Sequence, residues 1–273
     1  MLGSGTMGNG ITQAVAQAGY TVVMRDMEQS FLDRGMQTIT KSLGKFVDKG
    51  KLNAAQRDEI LSRISTSIDM EVVSDADLVI EAVPEKLELK LAIFRELDRL
   101  CKDGAILGSN TSSLPITEIG AATKRPENVI GMHFMNPVPV MRGVEIVKGR
   151  ATAEEIVEIV TAFIVSIGKE PTVAVDYAGF ITSRILNSYL NEAAYTVMDG
   201  NSPENVDRGM VYCTNMPMGP CALMDMVGID VIVYVLSILE DEFGPRFKAA
   251  PLLKQMLRAN HLGVKTGQGF YKY

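Results

Sequence analysis

Gly3-Ser4-Gly5-Thr6-Met7-Gly8, a G-x-G-x-x-G, opens an apolar, helix-patterned run that continues through Ala18. Each glycine has a physical task if this turn cradles a dinucleotide. Gly3 allows a tight turn, Gly5 lets the backbone approach a pyrophosphate, and Gly8 lets the next helix pack close to a sheet. The unpaired N–H groups of the first helical turn, at Thr6 and Met7, then face the phosphates. By itself the triplet identifies no particular ligand. It also lacks its usual lead-in, because only Met1 and Leu2 stand where a strand should precede the turn. In a doubly wound sheet that strand lies in the middle, so its near-absence should leave two neighbouring strands with open edges. A mis-assigned or trimmed start accounts for this better than a different fold.

Outward from the turn, strand and helix alternate. Gly19 caps the first helix, and Thr21 to Arg25 read as a strand that ends at Asp26. Helical stretches follow over about 29–49 and 54–64. The near-continuous apolar run 77–83 reads as a strand buried on both faces. Leu87, Leu91, Phe94 and Leu97 mark an amphipathic helix over 85–101. Strands are expected at 105–108, 129–134, 144–147 and 172–175, with a helix over 154–167. From Gly179 onward only helices are expected, near 180–198, 203–211, 220–226, 230–243 and 251–259. Repeated βα units followed by helices predict an α/β chain, a Rossmann-type doubly wound sheet over 1–176 and an all-α domain over 177–273.

The composition narrows the partners. A chain of 273 residues, 47% hydrophobic, can bury a substantial core. Its formal charge of −6 argues against nucleic acid or an anionic membrane as the main partner. Cys101, Cys213 and Cys221 show no metal-ligand spacing, and their odd number suits a reducing compartment. The start does not read as a signal peptide, and the longest apolar run, 231–239, is too short to span a bilayer. A soluble cytoplasmic protein is the expectation, without a metal.

Four groups of residues carry possible chemistry. Asp26, close to the usual spacing after the glycines, either accepts both ribose hydroxyls of NAD or is a turn aspartate. Its charge would repel the extra phosphate of NADP, although Arg25 stands beside it. His133 falls at a strand end, where open α/β sheets bind ligands, and Glu145 lies in the next strand. A hairpin-like return would bring the two together, and a carboxylate against an imidazole makes a general base; a structural strand histidine is the alternative. Ser109-Asn110-Thr111-Ser112-Ser113 ends another strand. It either caps a helix that starts near Pro115 or presents hydroxyl and amide groups to a nicotinamide and a substrate oxygen. Lys41, Lys45 and Lys49, spaced i, i+4, i+8 with Ser42 beside them, form one basic helical stripe. Such a stripe is either a solvated face or a grip on the phosphates of an anionic substrate tail.

Taken together, Gly3 to Gly8, Ser109 to Ser113, His133-Phe134-Met135-Asn136-Pro137-Val138-Pro139-Val140-Met141 and Lys265-Thr266-Gly267-Gln268-Gly269-Phe270-Tyr271 resemble the L-3-hydroxyacyl-CoA dehydrogenase family, and its short bacterial 3-hydroxybutyryl-CoA members above all. The resemblance runs from Gly3 to Tyr273. It implies NAD-dependent, reversible oxidation of a (3S)-3-hydroxyacyl-CoA to the 3-oxoacyl-CoA, within fatty-acid or butyrate metabolism. By position it makes His133 the proton acceptor, Glu145 its orienting partner, and Ser112 a hydrogen-bond donor to the reacting oxygen and a nicotinamide contact. Asn110, Asn136, Glu85, Lys90 and Lys265 match cofactor-side positions. Ser42 and Lys49 match CoA contacts, with Lys45 a weaker candidate. The helical domain is implied to mediate homodimerisation and to close over the acyl-CoA.

This chain departs from the pattern at Ala178-Gly179-Phe180-Ile181-Thr182-Ser183-Arg184, where Ser183 replaces the usual substrate-binding asparagine. A serine can still donate one hydrogen bond there, but it is shorter and lacks the amide's second group. Two other readings stand beside this one. One is a dehydrogenase of a free 3-hydroxy acid or sugar acid, which would need neither Ser42 nor Lys49. The other is a non-catalytic NAD-binding relative or fragment.

Overall fold

The alternation of strand and helix carries through in the computed structural model, which describes residues 1–273. The chain divides into two units, Met1–Asp176 and Tyr177–Tyr273. In the first unit the order is α1 (Thr6–Gln17), β1 (Val22–Arg25), α2 (Gln29–Asp48), α3 (Ala54–Ser62), β2 (Ile64–Ser67), β3 (Leu78–Glu81), α4 (Leu87–Leu100), β4 (Ile106–Ser109), α5 (Ile116–Ala121), β5 (Val129–Phe134), β6 (Gly143–Lys148), α6 (Glu154–Ser166) and β7 (Glu170–Val175). β2 pairs with β1 in parallel, and β3 to β7 lie side by side in chain order. β3, β4 and β5 run parallel. β6 then reverses against β5, and β7 runs parallel to β6.

Leu2 takes a strand's place between β1 and β3. Leu2 bridges to Arg25 on one side and to Glu81 on the other. The N–H of Leu2 donates to Ile80 O at 2.9 Å, and Leu2 O accepts from Ala82 N at 2.8 Å. On the other side Arg25 N donates to Met1 O at 2.8 Å, and Gly3 N donates to Arg25 O at 2.9 Å. The expectation of two open edges is therefore corrected over the ends of β1 and β3 nearest the glycine turn. It holds further back, where the two strands border a cleft of about 470 Å³ lined by apolar residues such as Leu2, Ile11, Val22, Val79 and Phe163.

Helix positions follow from small and apolar residues. A Cβ on Gly8 would stand 1.9 Å from Gly3 O, so only glycine lets α1 start this close to the turn. α2 buries Leu32, Gly35, Ile39 and Leu43, one stripe at helical spacing. α3 begins at a capping box, in which Asn53 and Gln56 satisfy each other's backbone N–H groups. Ile11, Met24, Leu32, Ile80, Ile130, Phe134, Ile146 and Val160 belong to one buried core. β2 was not expected as a strand. Ile64-Ser65-Thr66-Ser67 is mostly polar and half-exposed, and only its ladder to β1 makes it extended.

The second unit is helical: α7 (Thr182–Met198), α8 (Pro203–Thr214), α9 (Pro220–Val227), α10 (Ile229–Phe243) and α11 (Pro251–Arg258). α8, α9 and α11 start with proline, whose fixed φ suits a first turn and whose missing N–H is not needed there. Leu190, Met224, Ile232, Leu236 and Leu253 form its core. Asp225, 1% exposed, fastens the C-terminal tail by accepting from Phe270 N and Tyr271 N, each at 2.9 Å. No single helix of the chain is long and apolar enough to cross a membrane.

Candidate active site

The glycine turn has the geometry that a phosphate cradle needs. Gly3 has φ +90°, and a Cβ there would stand 2.6 Å from Ala82 O, so the turn needs glycine twice over. Gly5 caps α1 without any side chain donating or accepting there. A Cβ on Gly5 would meet nothing within 4 Å, which leaves open space at the helix start. The N–H groups of Thr6 and Met7 belong to that uncapped first turn, where an anion is favoured by the helix dipole. These features fit a dinucleotide pyrophosphate.

Asp26 follows β1 and faces the turn. Its Oδ2 accepts from Ser4 N and from Ser4 Oγ, each at 2.7 Å, and Oδ1 accepts from Met27 N at 2.7 Å. A carboxylate has roughly four acceptor positions, so these three contacts leave about one on Oδ1. The sequence pattern did not anticipate Ser4 as a partner.

The helix-cap reading of the serine run is overturned. α5 is capped from a distant residue, with Asp176 Oδ1 accepting from Ile116 N at 3.0 Å and Oδ2 from Thr117 N at 2.6 Å. The run turns instead on Thr111, whose Oγ1 accepts from Leu114 N at 2.8 Å. Glu85 gathers it from the other side: its Oε1 accepts from Ser112 N at 2.9 Å, from Thr111 Oγ1, and more loosely from Ser112 Oγ at 3.4 Å. Asn110 Oδ1 accepts from Phe134 N at 2.9 Å, which ties the end of β4 to the residue after His133.

His133 and Glu145 stand opposite each other in the antiparallel β5–β6 register. Nδ1 of His133 lies 2.8 Å from Glu145 Oε2, with the two residues 8% and 1% exposed. An ionised carboxylate only accepts, so Nδ1 is the donor of this pair. The imidazole is thus held in one orientation by a buried carboxylate.

The remaining predicted residues spread more widely. Lys90 is 1% exposed, its ammonium enclosed by Glu81 and Glu85 rather than presented at a surface. Asn136 is exposed in the loop after β5. Ser42 is half-buried on α2, while Lys41, Lys45 and Lys49 are exposed along the same helix and its end. Ser183 sits in the first turn of α7, and its backbone carbonyl accepts from Asn187 Nδ2 at 2.7 Å. Lys265, in the tail of the second unit, is exposed and pairs with Asp230 Oδ1 at 2.5 Å.

Comparison with known proteins matches these two units to two halves of one family. Residues 1–177 match the NAD binding domain of 3-hydroxyacyl-CoA dehydrogenase, and residues 179–273 match its C-terminal domain. The chain belongs to the 3-hydroxyacyl-CoA dehydrogenase family. It is an NAD-dependent oxidoreductase. A probable 3-hydroxybutyryl-CoA dehydrogenase of Deinococcus radiodurans is 44% identical over 100% of this chain and 99% of its own length. The 3-hydroxybutyryl-CoA dehydrogenase of Clostridioides difficile is also 44% identical, over 100% and 98%. The crystal structure of (S)-3-hydroxybutyryl-CoA dehydrogenase from Ralstonia eutropha superposes with a TM-score of 0.96 at 40% identity, covering 100% of this chain and 97% of that one.

Besides Ser4, sequence reasoning missed Glu81. It is fully buried and accepts from Lys90 Nζ at 2.6 Å, Val83 N at 2.7 Å and Ser109 Oγ at 2.7 Å. A signal was there: it is a lone charge inside the apolar run Leu78-Val79-Ile80-Glu81-Ala82-Val83, and a carboxylate buried on both faces of a sheet needs a partner.

Proposed function

We propose that this family member interconverts (3S)-3-hydroxybutyryl-CoA, or a similarly short 3-hydroxyacyl-CoA, and its 3-oxoacyl-CoA. His133 is the acid/base, oriented by Glu145. The observation that carries this is the 2.8 Å contact between His133 Nδ1 and Glu145 Oε2, buried at one strand end and tied through Phe134 and Asn110 to the serine run. Bound NAD supplies the hydride acceptor. In oxidation, His133 Nε2 takes the proton of the 3-hydroxyl as the carbon beneath it loses its hydride, and Glu145 balances the imidazolium that forms. The Ser112 hydroxyl, held only at 3.4 Å by Glu85, is able to donate to the same oxygen. In reduction the proton returns from Nε2 to that oxygen.

Gly3, Gly5, Thr6, Met7 and Gly8 hold the pyrophosphate and Asp26 the ribose. Asn110, Glu85, Asn136 and Lys265 serve the cofactor side, while Lys90, 1% exposed, meets only protein groups. Ser42, Lys45 and Lys49 hold the CoA phosphates, and Ser183 contacts substrate from the helical unit. That unit, over 177–273, also carries the exposed apolar side chains Tyr212, Met226, Val231 and Tyr234, which support pairing with a second copy. The three cysteines are unpaired, as suits the cytoplasm.

NADH consumption with acetoacetyl-CoA tests the proposal. Turnover is expected, with His133→Ala slower by about 10²- to 10⁴-fold while NAD titration stays unchanged. Absence of turnover in a chain that still binds NAD would overturn the assignment. Replacing Ser42 and Lys49 with alanine is expected to raise the Michaelis constant for acetoacetyl-CoA. An unchanged constant points to a substrate without CoA.

A further inference from the structure

We propose that Glu81 and Lys90 are positioning residues for Ser112, acting through Glu85. The proposal rests on the reading above that Ser112 touches the reacting oxygen. Lys90 is 1% exposed and Glu81 is 0% exposed, so neither is placed to meet a ligand directly. Their contacts form a chain instead. Glu81 is held on Oε1 by Val83 N and Lys90 Nζ, and on Oε2 by Ser109 Oγ, its partner in the β3–β4 register. With each neighbour set by a strand or a turn, the carboxylate has one orientation.

The Lys90 ammonium has three donors, and three acceptors surround it: Glu81 Oε1 at 2.6 Å, Glu85 Oε2 at 3.4 Å and Val83 O at 3.5 Å. All three lie between Glu81, the last residue of β3, and Glu85 in the turn that follows. The lysine therefore staples that turn from inside and holds Glu85 by one oxygen. The other Glu85 oxygen faces Ser112 N, Ser112 Oγ and Thr111 Oγ1. Two carboxylates share one buried ammonium, so the position of Glu85 depends on how strongly Glu81 draws on Lys90. Without Lys90, Glu85 loses its inner anchor and the serine run it gathers loses its fixed distance from the strand end. A hydrogen bond of 3.4 Å leaves the Ser112 hydroxyl available to another acceptor, and only a fixed Glu85 keeps it so.

A double-mutant cycle separates this role from simple support of the fold. Steady-state kinetics with NADH and acetoacetyl-CoA are measured for the parent, Lys90→Met, Ser112→Ala and the double variant. Lys90→Met is expected to lower kcat about tenfold with the KM for NADH within about twofold, and to cost less than about twofold in the Ser112→Ala background. Equal losses in both backgrounds would overturn the proposal, because a residue that only supports the fold does not act through Ser112. A raised KM for NADH with kcat intact would overturn it too, by making Lys90 a cofactor contact. Where Lys90→Met does not fold, Glu81→Gln, which keeps the shape and removes the charge, enters the same cycle with the same expected coupling. An undiminished kcat in Ser112→Ala alone sinks the Ser112 reading itself, and is recognisable because Lys90 is untouched.

Discussion

Two glycines in one motif do different work, and the surrounding atoms separate them. A Cβ on Gly8 would stand 1.9 Å from the carbonyl oxygen of Gly3, a backbone atom that has no rotamer to escape into. Gly8→Ala is therefore expected to destabilise the chain by about 2 kcal/mol or more, read as a lower melting temperature in calorimetry. A Cβ on Gly5 meets nothing within 4 Å, and the residue's φ of −62° suits any amino acid. Gly5→Ala should leave the melting temperature nearly unchanged and weaken NAD about tenfold, because the methyl would stand where the pyrophosphate approaches. Equal melting temperatures for the two variants would show that Gly8 is not the packing glycine. The spacing of the motif was legible in the sequence, but the hold of Ser4 on Asp26 was not, since it depends on how the turn and β1 meet.

At the scale of elements, α1 carries a buried hydroxyl beside the cleft between β1 and β3. Thr12 on α1 lines it, is 0% exposed, and its Oγ1 has no hydrogen-bond partner. Burying a hydroxyl without a partner is unfavourable, so Thr12→Val, nearly isosteric, is expected to raise stability by about 1 kcal/mol in denaturant titration. A loss of stability would mean that the hydroxyl is satisfied. The C-terminal tail offers an electrostatic counterpart. Burial, and then the hydrogen bond and charge of Asp207, push the Tyr271 phenol well above its usual range. Burial and the neighbouring Asp225 push Tyr273 up to about 12. Unfolded phenols lose their protons near pH 10.0, whereas these two keep theirs longer in the folded chain. Their contribution is therefore complete below that pH and is lost as pH rises through the folded values. Melting temperature should fall above pH 10, and less steeply in Tyr271→Phe and Tyr273→Phe; identical slopes would contradict the assignment.

Across the whole molecule the three cysteines report on both units. Cys213 is exposed on α8, whereas Cys101 in the first unit and Cys221 in the second are buried. Burial raises both buried thiols, and Asp207 adds to the effect at Cys221. A thiolate is the reactive form, so one thiol should react quickly with a disulfide reagent in the native chain, and the other two only on unfolding. Following Cys101 and Cys221 separately by mass spectrometry in rising denaturant shows whether the two units open together. Three fast thiols in the native chain would contradict the burial described here.

The order of elements, β2 excepted, and the approach of His133 to Glu145 were legible from the sequence alone. Each depends on a local pattern: hydrophobic period, a glycine or proline stop, or two short strands whose connection returns on itself. β2 was not legible, because Ile64 to Ser67 have little apolar character and become a strand only through the ladder to β1. Nor was the capping of α5 by Asp176, or the holding of Ser112 by Glu85, since those partners lie far apart in the chain. Sequence periodicity records which face of an element is buried. It does not record which buried polar groups meet there, and only the tertiary structure decides how Glu81, Lys90 and Glu85 satisfy one another.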